Sequence, residues 1–183
     1  MSWELVKDKF NPRAFHRNAV HEVKWIAEHV RWDDYAVLDV GCMDSGLLDL
    51  LPSLSSGTIT GIDIRGQNPM DIRHPSFKPA TFSAIIFLST IEHIGLDCYG
   101  NKELSTHGDA DALTVAGKLL GPGGRILVTM PWDDVGVGGT RNSVLWERRY
   151  NYAAAMELVA FSELDLVEYL EDRRNEIICM ELT

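Results

Sequence analysis

The residues of this chain best suited to chemistry lie where apolar runs end in acids. In Ala36-Val-Leu-Asp-Val-Gly-Cys-Met-Asp-Ser-Gly46 a short apolar run carries Asp39, breaks at Gly41 and leads into the leucine-rich stretch 47–51. A second apolar run, Ile59-Thr-Gly-Ile-Asp63, ends in Asp63. A buried strand, a tight loop and a helix start form the place where open α/β sheets bind nucleotide-like ligands. Two strands that end in acids suit a ribose or an ammonium group. A pyrophosphate would ask for backbone amides at a helix start. Asp63 can accept both hydroxyls of a ribose, because it lies about 20 residues beyond a glycine turn. That spacing favours binding over a capping or surface acid.

These acids need elements to hold them. Residues 35–40 read as the first strand and 58–64 as the second. Residues 82–88 form a continuous apolar run, as expected of a strand buried on both faces, and 126–130 form another. Ahead of them, Asn11-Pro12 reads as an N-cap with proline in the first turn. Phe15, Ala19, Val20, Val23, Ile26, Ala27 and Val30 then recur at helical spacing, which predicts an amphipathic helix over about 12–31. Residues 46–51 predict a short helix stopped by Pro52, and a short extended piece surrounds 70–72. Residues 89–106 read as a loop or short helix at the mouth of the sheet. Asp109 reads as the cap of a helix through 120, stopped by Gly121-Pro-Gly-Gly124. The glycine-rich stretch 131–146 reads as a long loop. Asn151 reads as the cap of a helix to about 160. Two final strands, near 164–170 and 177–182, are joined by Glu171-Asp-Arg-Arg-Asn175, too short for a helical crossover, so they should run antiparallel. The order predicts an α/β fold: a doubly wound, mostly parallel sheet of about seven strands, one of them reversed in a C-terminal hairpin.

The bulk numbers agree with one domain over 1–183 with a sheet core from about 35. A chain of 183 residues can bury a sizeable core, and 45% hydrophobic with 24% charged residues is an ordinary globular composition. A formal charge of -10 gives no electrostatic reason to bind nucleic acid. Arg148-Arg149 and Arg173-Arg174 sit among acids and read as solvated surface. Cys42, Cys98 and Cys179 are far apart, which suits reduced thiols in a cytoplasm. The first residues lack an apolar signal region, and no run reaches about 18 apolar residues, so neither secretion nor a membrane span is expected.

With those residues in hand, the chain resembles the class I S-adenosylmethionine-dependent methyltransferases from residue 35 to the end. Val37-Leu-Asp-Val-Gly-Cys42 is similar to their first motif and Gly61-Ile-Asp-Ile64 to the acidic second. Asp71-Ile72 sits where an adenine-contact motif is usual. Phe87-Leu-Ser-Thr-Ile-Glu-His-Ile-Gly-Leu96 is similar to the fourth motif of the group with Glu-His after its fourth strand. Leu120-Gly-Pro-Gly-Gly-Arg-Ile-Leu-Val128 is similar to the approach to the fifth strand. The resemblance implies a Rossmann-like sheet, S-adenosylmethionine as cofactor and methyl transfer to a small-molecule or sugar-like acceptor.

It also implies site residues. Asp39, Gly41, Cys42, Met43 and Ser45 would form the loop at the methionine end of the cofactor. Asp63 would take the ribose, Ile64 and Ile72 the adenine faces, and Ser89 would be a further cofactor contact. Asp71 reads equally as a partner of the adenine amino group or as a surface acid. The family loop usually reads D-x-G-x-G-x-G, and here Met43 and Ser45 replace the second and third glycines. Met43 adds bulk beside the methionine moiety, and Ser45 is placed to cap the helix.

Two roles stay open for Glu92 and His93. In one, His93 deprotonates or orients the acceptor while Glu92 or Asp97 fixes its tautomer. In the other, Glu92 caps a short helix and His93 packs over the cofactor. His107, Asp109 and Asp111 lack the paired spacing of a metal site, so no metal is expected. Tyr99, Trp132, Trp146 and Tyr150 suit a substrate wall, the edge of the fold or the surface of a homodimer. A catalytically degenerate cofactor-binding or interaction module is the alternative function. A nicotinamide dehydrogenase is disfavoured because no G-x-G-x-x-G is present.

Overall fold

The computed structural model describes residues 2–9, 19–67, 69–136, 138–141 and 144–183. Helices α1 (Ser2–Val6) and α2 (Ala19–His29) precede strand β1 (Ala36–Val40). The turns α3 (Cys42–Ser45) and α4 (Leu47–Leu50) lead to β2 (Thr58–Ile62). Then follow β3 (Phe82–Leu88), α5 (Gly108–Leu119), β4 (Leu120–Pro131), β5 (Gly139–Arg141) and β6 (Val144–Glu147). The chain closes with α6 (Tyr152–Ser162), β7 (Leu166–Asp172) and β8 (Ile177–Leu182).

The main sheet has the order β2-β1-β3-β4-β8-β7. β2, β1, β3 and β4 are parallel, and β8 runs antiparallel to both its neighbours, so it is the reversed strand. The alternation of β3 explains why it is apolar but for Ser83, whose hydroxyl is taken up by the Ala36 backbone. Ile85 and Phe87 face α5 and α6 in one core, while Ala84, Ile86 and Leu88 face α2 and α4 in the other. A strand covered on both faces has no position left for a polar residue to meet water. Arg125 at the start of the apolar part of β4 is buried too, and its guanidinium donates to Asp34, just before β1, at 2.5 Å. This ion pair ties the entries of β1 and β4 together across β3, which lies between them.

Several expectations change. Six strands form the sheet, not seven. Residues 70–72 make one rung only, from the Met70 N–H to the Asp63 carbonyl at 2.8 Å. Pro69 offers no donor, and Asp71 starts a turn: its carbonyl accepts the His74 N–H and its carboxylate accepts the Arg73 N–H at 2.9 Å. The second strand stops at Ile62, before Asp63. Asp109 is not the cap of α5; it lies inside the first turn and accepts the Tyr150 hydroxyl at 2.9 Å. Within 131–146 the hairpin β5–β6 replaces an open loop. Asn151 does cap α6, accepting the Ala154 N–H at 3.0 Å. The Asn11-Pro12 start lies outside the described residues, and α2 covers the described part of the opening helix. Among the described residues no helix is long and apolar enough to cross a membrane.

Candidate functional site

The carboxyl ends of β1, β2 and β3 open on one cavity of about 810 Å³, to which Val40, Ile62 and Leu88 each contribute. Pro131 at the end of β4 lines it as well. That volume lies in the range of small-molecule and cofactor sites, about 300–1,000 Å³. Gly41, Ser45, Asp63, Ile64, Asp71 and Ile72 line it, as do Ser89, Glu92 and His93. Asp39, Cys42 and Met43 do not line it.

Each placement has a local cause. Gly41 has φ of 80°, and a Cβ there would stand 2.4 Å from Thr90 Oγ1. Only glycine lets the loop after β1 lie so close to the loop after β3. Cys42 instead packs on β2, where a Cβ on Gly61 would meet its Sγ at 2.8 Å. The Met43 side chain is 55% exposed and turned outward, so it adds no bulk to the cavity. Its backbone N–H donates to Asp63 Oδ2 at 3.2 Å. Asp39 is fully buried beneath the loop. Ser45 Oγ donates to its Oδ2 at 2.5 Å and accepts the Leu47 N–H at 3.2 Å, serving the loop and the start of α4 together. Asp39 Oδ1 has no partner among the described residues. Burial pushes this carboxyl up to about 7, with the charge of Asp63 adding and the Ser45 bond opposing.

At the end of β2, Asp63 is saturated. Arg65 reaches it with Nε at 2.9 Å, with Nη2 at 3.0 Å and with its backbone N–H at 2.8 Å. Burial alone would raise this carboxyl; the Arg65 and Met43 hydrogen bonds outweigh it and hold it below its ordinary value. Arg65 also donates to Asp44 at 2.8 Å and lies 4.7 Å from the centre of the Tyr99 ring. Asp71 is likewise engaged, by Arg73 Nη2 at 2.6 Å. Ser89 holds φ of 43°, and its hydroxyl donates to Glu22 of α2 at 2.5 Å.

The other end is built around the single turn Ile91–His93. His93 Nδ1 stands 2.7 Å from the Trp146 carbonyl. A carbonyl only accepts, so Nδ1 carries the hydrogen and Nε2 keeps the lone pair. The Trp146 carbonyl thus does the work expected of Glu92 or Asp97. Glu92 Oε1 lies 3.7 Å from Nε2, too far for a hydrogen bond. Burial lowers the imidazole below its ordinary value against the pull of that carbonyl. Glu92 is 2% exposed, burial pushes its carboxyl well up, and Oε2 has no partner among the described residues.

Sequence reasoning missed the residues that fasten this turn. Arg148, read as surface, is a half-buried buckle: it donates to the Ile94 carbonyl at 2.7 Å and to the Ser105 carbonyl at 3.1 Å. Arg149, Glu147 and Glu176 line the cavity, Arg149 donating to Glu147 at 2.9 Å. Of the four aromatics only Tyr99 and Trp146 line it, 4.7 Å apart, with His93 edge-on to Tyr99 at 5.1 Å. Trp132 lies under Arg173, and Tyr150 is core. His107 stacks on Phe161, and Asp111 accepts from Ser105.

This sheet and this cavity define the fold of the S-adenosylmethionine-dependent methyltransferases. One similar structure is the 1,6-didemethyltoxoflavin-N1-methyltransferase of Burkholderia thailandensis, bound to 1,6-didemethyltoxoflavin and S-adenosylhomocysteine. It matches 98% of this chain and 83% of its own at TM-score 0.70 and 13% identity. An S-adenosylmethionine-dependent methyltransferase from Clostridium acetobutylicum matches 99% of this chain and 95% of its own at TM-score 0.62 and 12% identity. The glycopeptide N-methyltransferase MtfA matches 92% and 91% at TM-score 0.62 and 9% identity. No family model and no curated protein matches the sequence.

Proposed function

We propose that this chain is an S-adenosylmethionine-dependent methyltransferase acting on a small-molecule or sugar-like acceptor. The convergence of three strand ends on one cavity, with a hydroxyl acceptor at one end and a tautomer-fixed imidazole at the other, carries the reading. The cofactor, when bound, supplies an activated methyl group. The residues present suit it. Gly41 lines the cavity, Asp63 would accept ribose hydroxyls in exchange for Arg65, and Ile64 and Ile72 would offer apolar faces to an adenine. Asp71 is placed for the adenine amino group, and the loop that Asp39 and Ser45 brace is placed for the methionine end. Cys42 and Met43 act through that loop, and Ser89 borders the transfer point.

His93 is the base in this reading. Its Nε2 lone pair accepts the proton that the acceptor releases, and the Trp146 carbonyl keeps Nδ1 from competing. Glu92 lies beside it, 3.7 Å from Nε2, and does not orient the ring. Alignment of the acceptor by the aromatic pair Tyr99 and Trp146 supplies the rest of the rate. The formal charge of -10 supports a small acceptor over nucleic acid, and the bound heterocycle of the Burkholderia neighbour supports one of modest size. The three free cysteines support a cytoplasmic location, and the chain is read as one domain over 1–183, with a homodimer as a further element of the proposal.

One observation favours the alternative of a degenerate module: Arg65 already fills the oxygens of Asp63. Titration calorimetry with S-adenosylhomocysteine tests both. The methyltransferase reading expects heat with one-to-one stoichiometry, and a silent titration removes it.

A further inference from the structure

We infer that the acceptor end of the cavity is a site for an organic ammonium ion, so that the group methylated is an amine nitrogen. The inference rests on the methyltransferase reading and names its substrate class.

Three observations meet at this end. Glu92 lines the cavity floor, is 2% exposed, and has one carboxyl oxygen without a partner among the described residues. A buried acceptor left unmade is costly, and the ligand that satisfies it must bring an N–H or O–H donor. Next, acids outnumber bases around it. Glu92 and Glu147 stand at this end and Glu176 lines the same cavity; of the arginines that line it, Arg149 is already on Glu147 at 2.9 Å and Arg65 on Asp63 at 2.9 Å. Arg148 stands behind the turn with its guanidinium turned to the carbonyls of Ile94 and Ser105. An anionic acceptor would meet the carboxyl groups of Glu92 and Glu147, whereas a cation meets complementary charge.

The third observation concerns the wall. Tyr99 already carries a cation of this chain, the Arg65 guanidinium at 4.7 Å from its ring centre. An aromatic face in a partly dry site attracts a cation, and Trp146 beside it offers a stronger one. Burial holds the Glu92 carboxyl well above its ordinary range, and a bound ammonium is what makes its ionisation favourable. In the reaction the ammonium first gives one proton to His93 Nε2. The freed nitrogen lone pair then forms the N–C bond to the methyl carbon. The C–S electron pair leaves with sulfur, which becomes a neutral thioether, and the methylated nitrogen carries the positive charge.

The test uses the full chain and three probes of one size. S-adenosylhomocysteine is titrated first; on the loaded protein, phenethylamine, 2-phenylethanol and phenylacetate are then compared by calorimetry. Phenethylamine is expected to bind at least about 10-fold tighter than the alcohol, with phenylacetate silent, as a charge-assisted bond in a buried site requires. In Glu92→Gln that preference should fall to within about 3-fold while S-adenosylhomocysteine affinity is unchanged. Equal or tighter binding of the alcohol or the acid, silence of all three probes, or a preference that survives Glu92→Gln overturns the inference. The rank order in the unmodified protein decides alone if the variant does not fold. An amine preference without S-adenosylhomocysteine binding keeps the ammonium site and removes the methyltransferase reading.

Discussion

Asp63 and Glu92 each follow a strand of the parallel core and line the same cavity, yet their surroundings are opposite. Asp63 accepts from the backbone of Met43 and from three donors of Arg65, and its carboxyl is held below the ordinary range. Glu92 leaves an oxygen bare, and its carboxyl is pushed well up. The chain next to each acid explains the difference. Asp63 is followed two residues later by an arginine on a loop at the edge of the sheet, free to fold back on it. Glu92 sits in a turn whose carbonyls are clamped by Arg148, with the Arg148 guanidinium spent on those carbonyls and not on the Glu92 carboxyl. In the proposed function the Asp63 end therefore has to exchange an internal partner for a ligand, whereas the Glu92 end is fixed in place and electrostatically incomplete.

The largest effect should come from the fixed end. His93→Ala is expected to lower kcat about 10²–10⁴-fold, the usual contribution of a positioned base, with S-adenosylhomocysteine affinity unchanged. Single-turnover assays check it, and full turnover would leave His93 a packing residue. The pH profile gives a second view. The imidazole lies below its ordinary 6.5, so its neutral, proton-accepting form persists through neutrality. The rate should stay flat above 6.5 and fall only as pH drops below it. A limb centred above neutrality would assign the base to another group.

Next comes Asp39, the buried acid under the cofactor loop. Its folded value of about 7 lies above the ordinary 3.8, so the folded state binds the proton more tightly. The stability this provides is fully present below 3.8 and is lost as pH rises to about 7. The gap corresponds to about 4 kcal/mol. Asp39→Asn should flatten that dependence, so the variant gains on the parent between pH 4 and 8 in thermal melts. Parallel curves would mean that the loop opens to water.

Asp63→Asn should act less strongly. It weakens the acceptor of the ribose hydroxyls and releases Arg65, so S-adenosylhomocysteine affinity is expected to drop roughly 10-fold. Unchanged affinity would show that the cofactor end does not use this acid, and the contrast with Glu92 would lose its meaning.

How far these features were legible in the sequence follows from their physics. The strand ends at Val40 and Leu88 were readable, and that at Ile62 to within two residues, because a strand buried in the sheet is apolar and stops where the pattern breaks. The closing hairpin was readable because its link is too short to cross over. The missing strand at 70–72 was not, since the same Asp71 that resembles a ligand contact starts a turn with Arg73. The hairpin β5–β6 hides in a glycine-rich stretch whose strands are too short to show a period. Arg148 looks like any surface charge in a list of residues, and its four carbonyl partners become visible only once the turn at 91–95 is folded over it. The Trp146 carbonyl that fixes His93 leaves no mark in the sequence, because every residue has a carbonyl.

Arg65→Ala is the smallest change and the most direct probe of the contrast. Arg65 is partly exposed, so its pairing with Asp63 contributes on the order of 1 kcal/mol rather than the value of a buried bridge. If a ribose must displace it, that contribution opposes binding, and its removal should tighten S-adenosylhomocysteine by about 5-fold. The melting temperature should fall slightly, because Asp63 and Asp44 lose their shared partner. A gain in affinity with a loss in stability marks a guanidinium that occupies the ligand's place. A loss of both marks one that touches the ligand itself, and Asp63 and Arg65 then form a preset pair as fixed as the turn that carries His93.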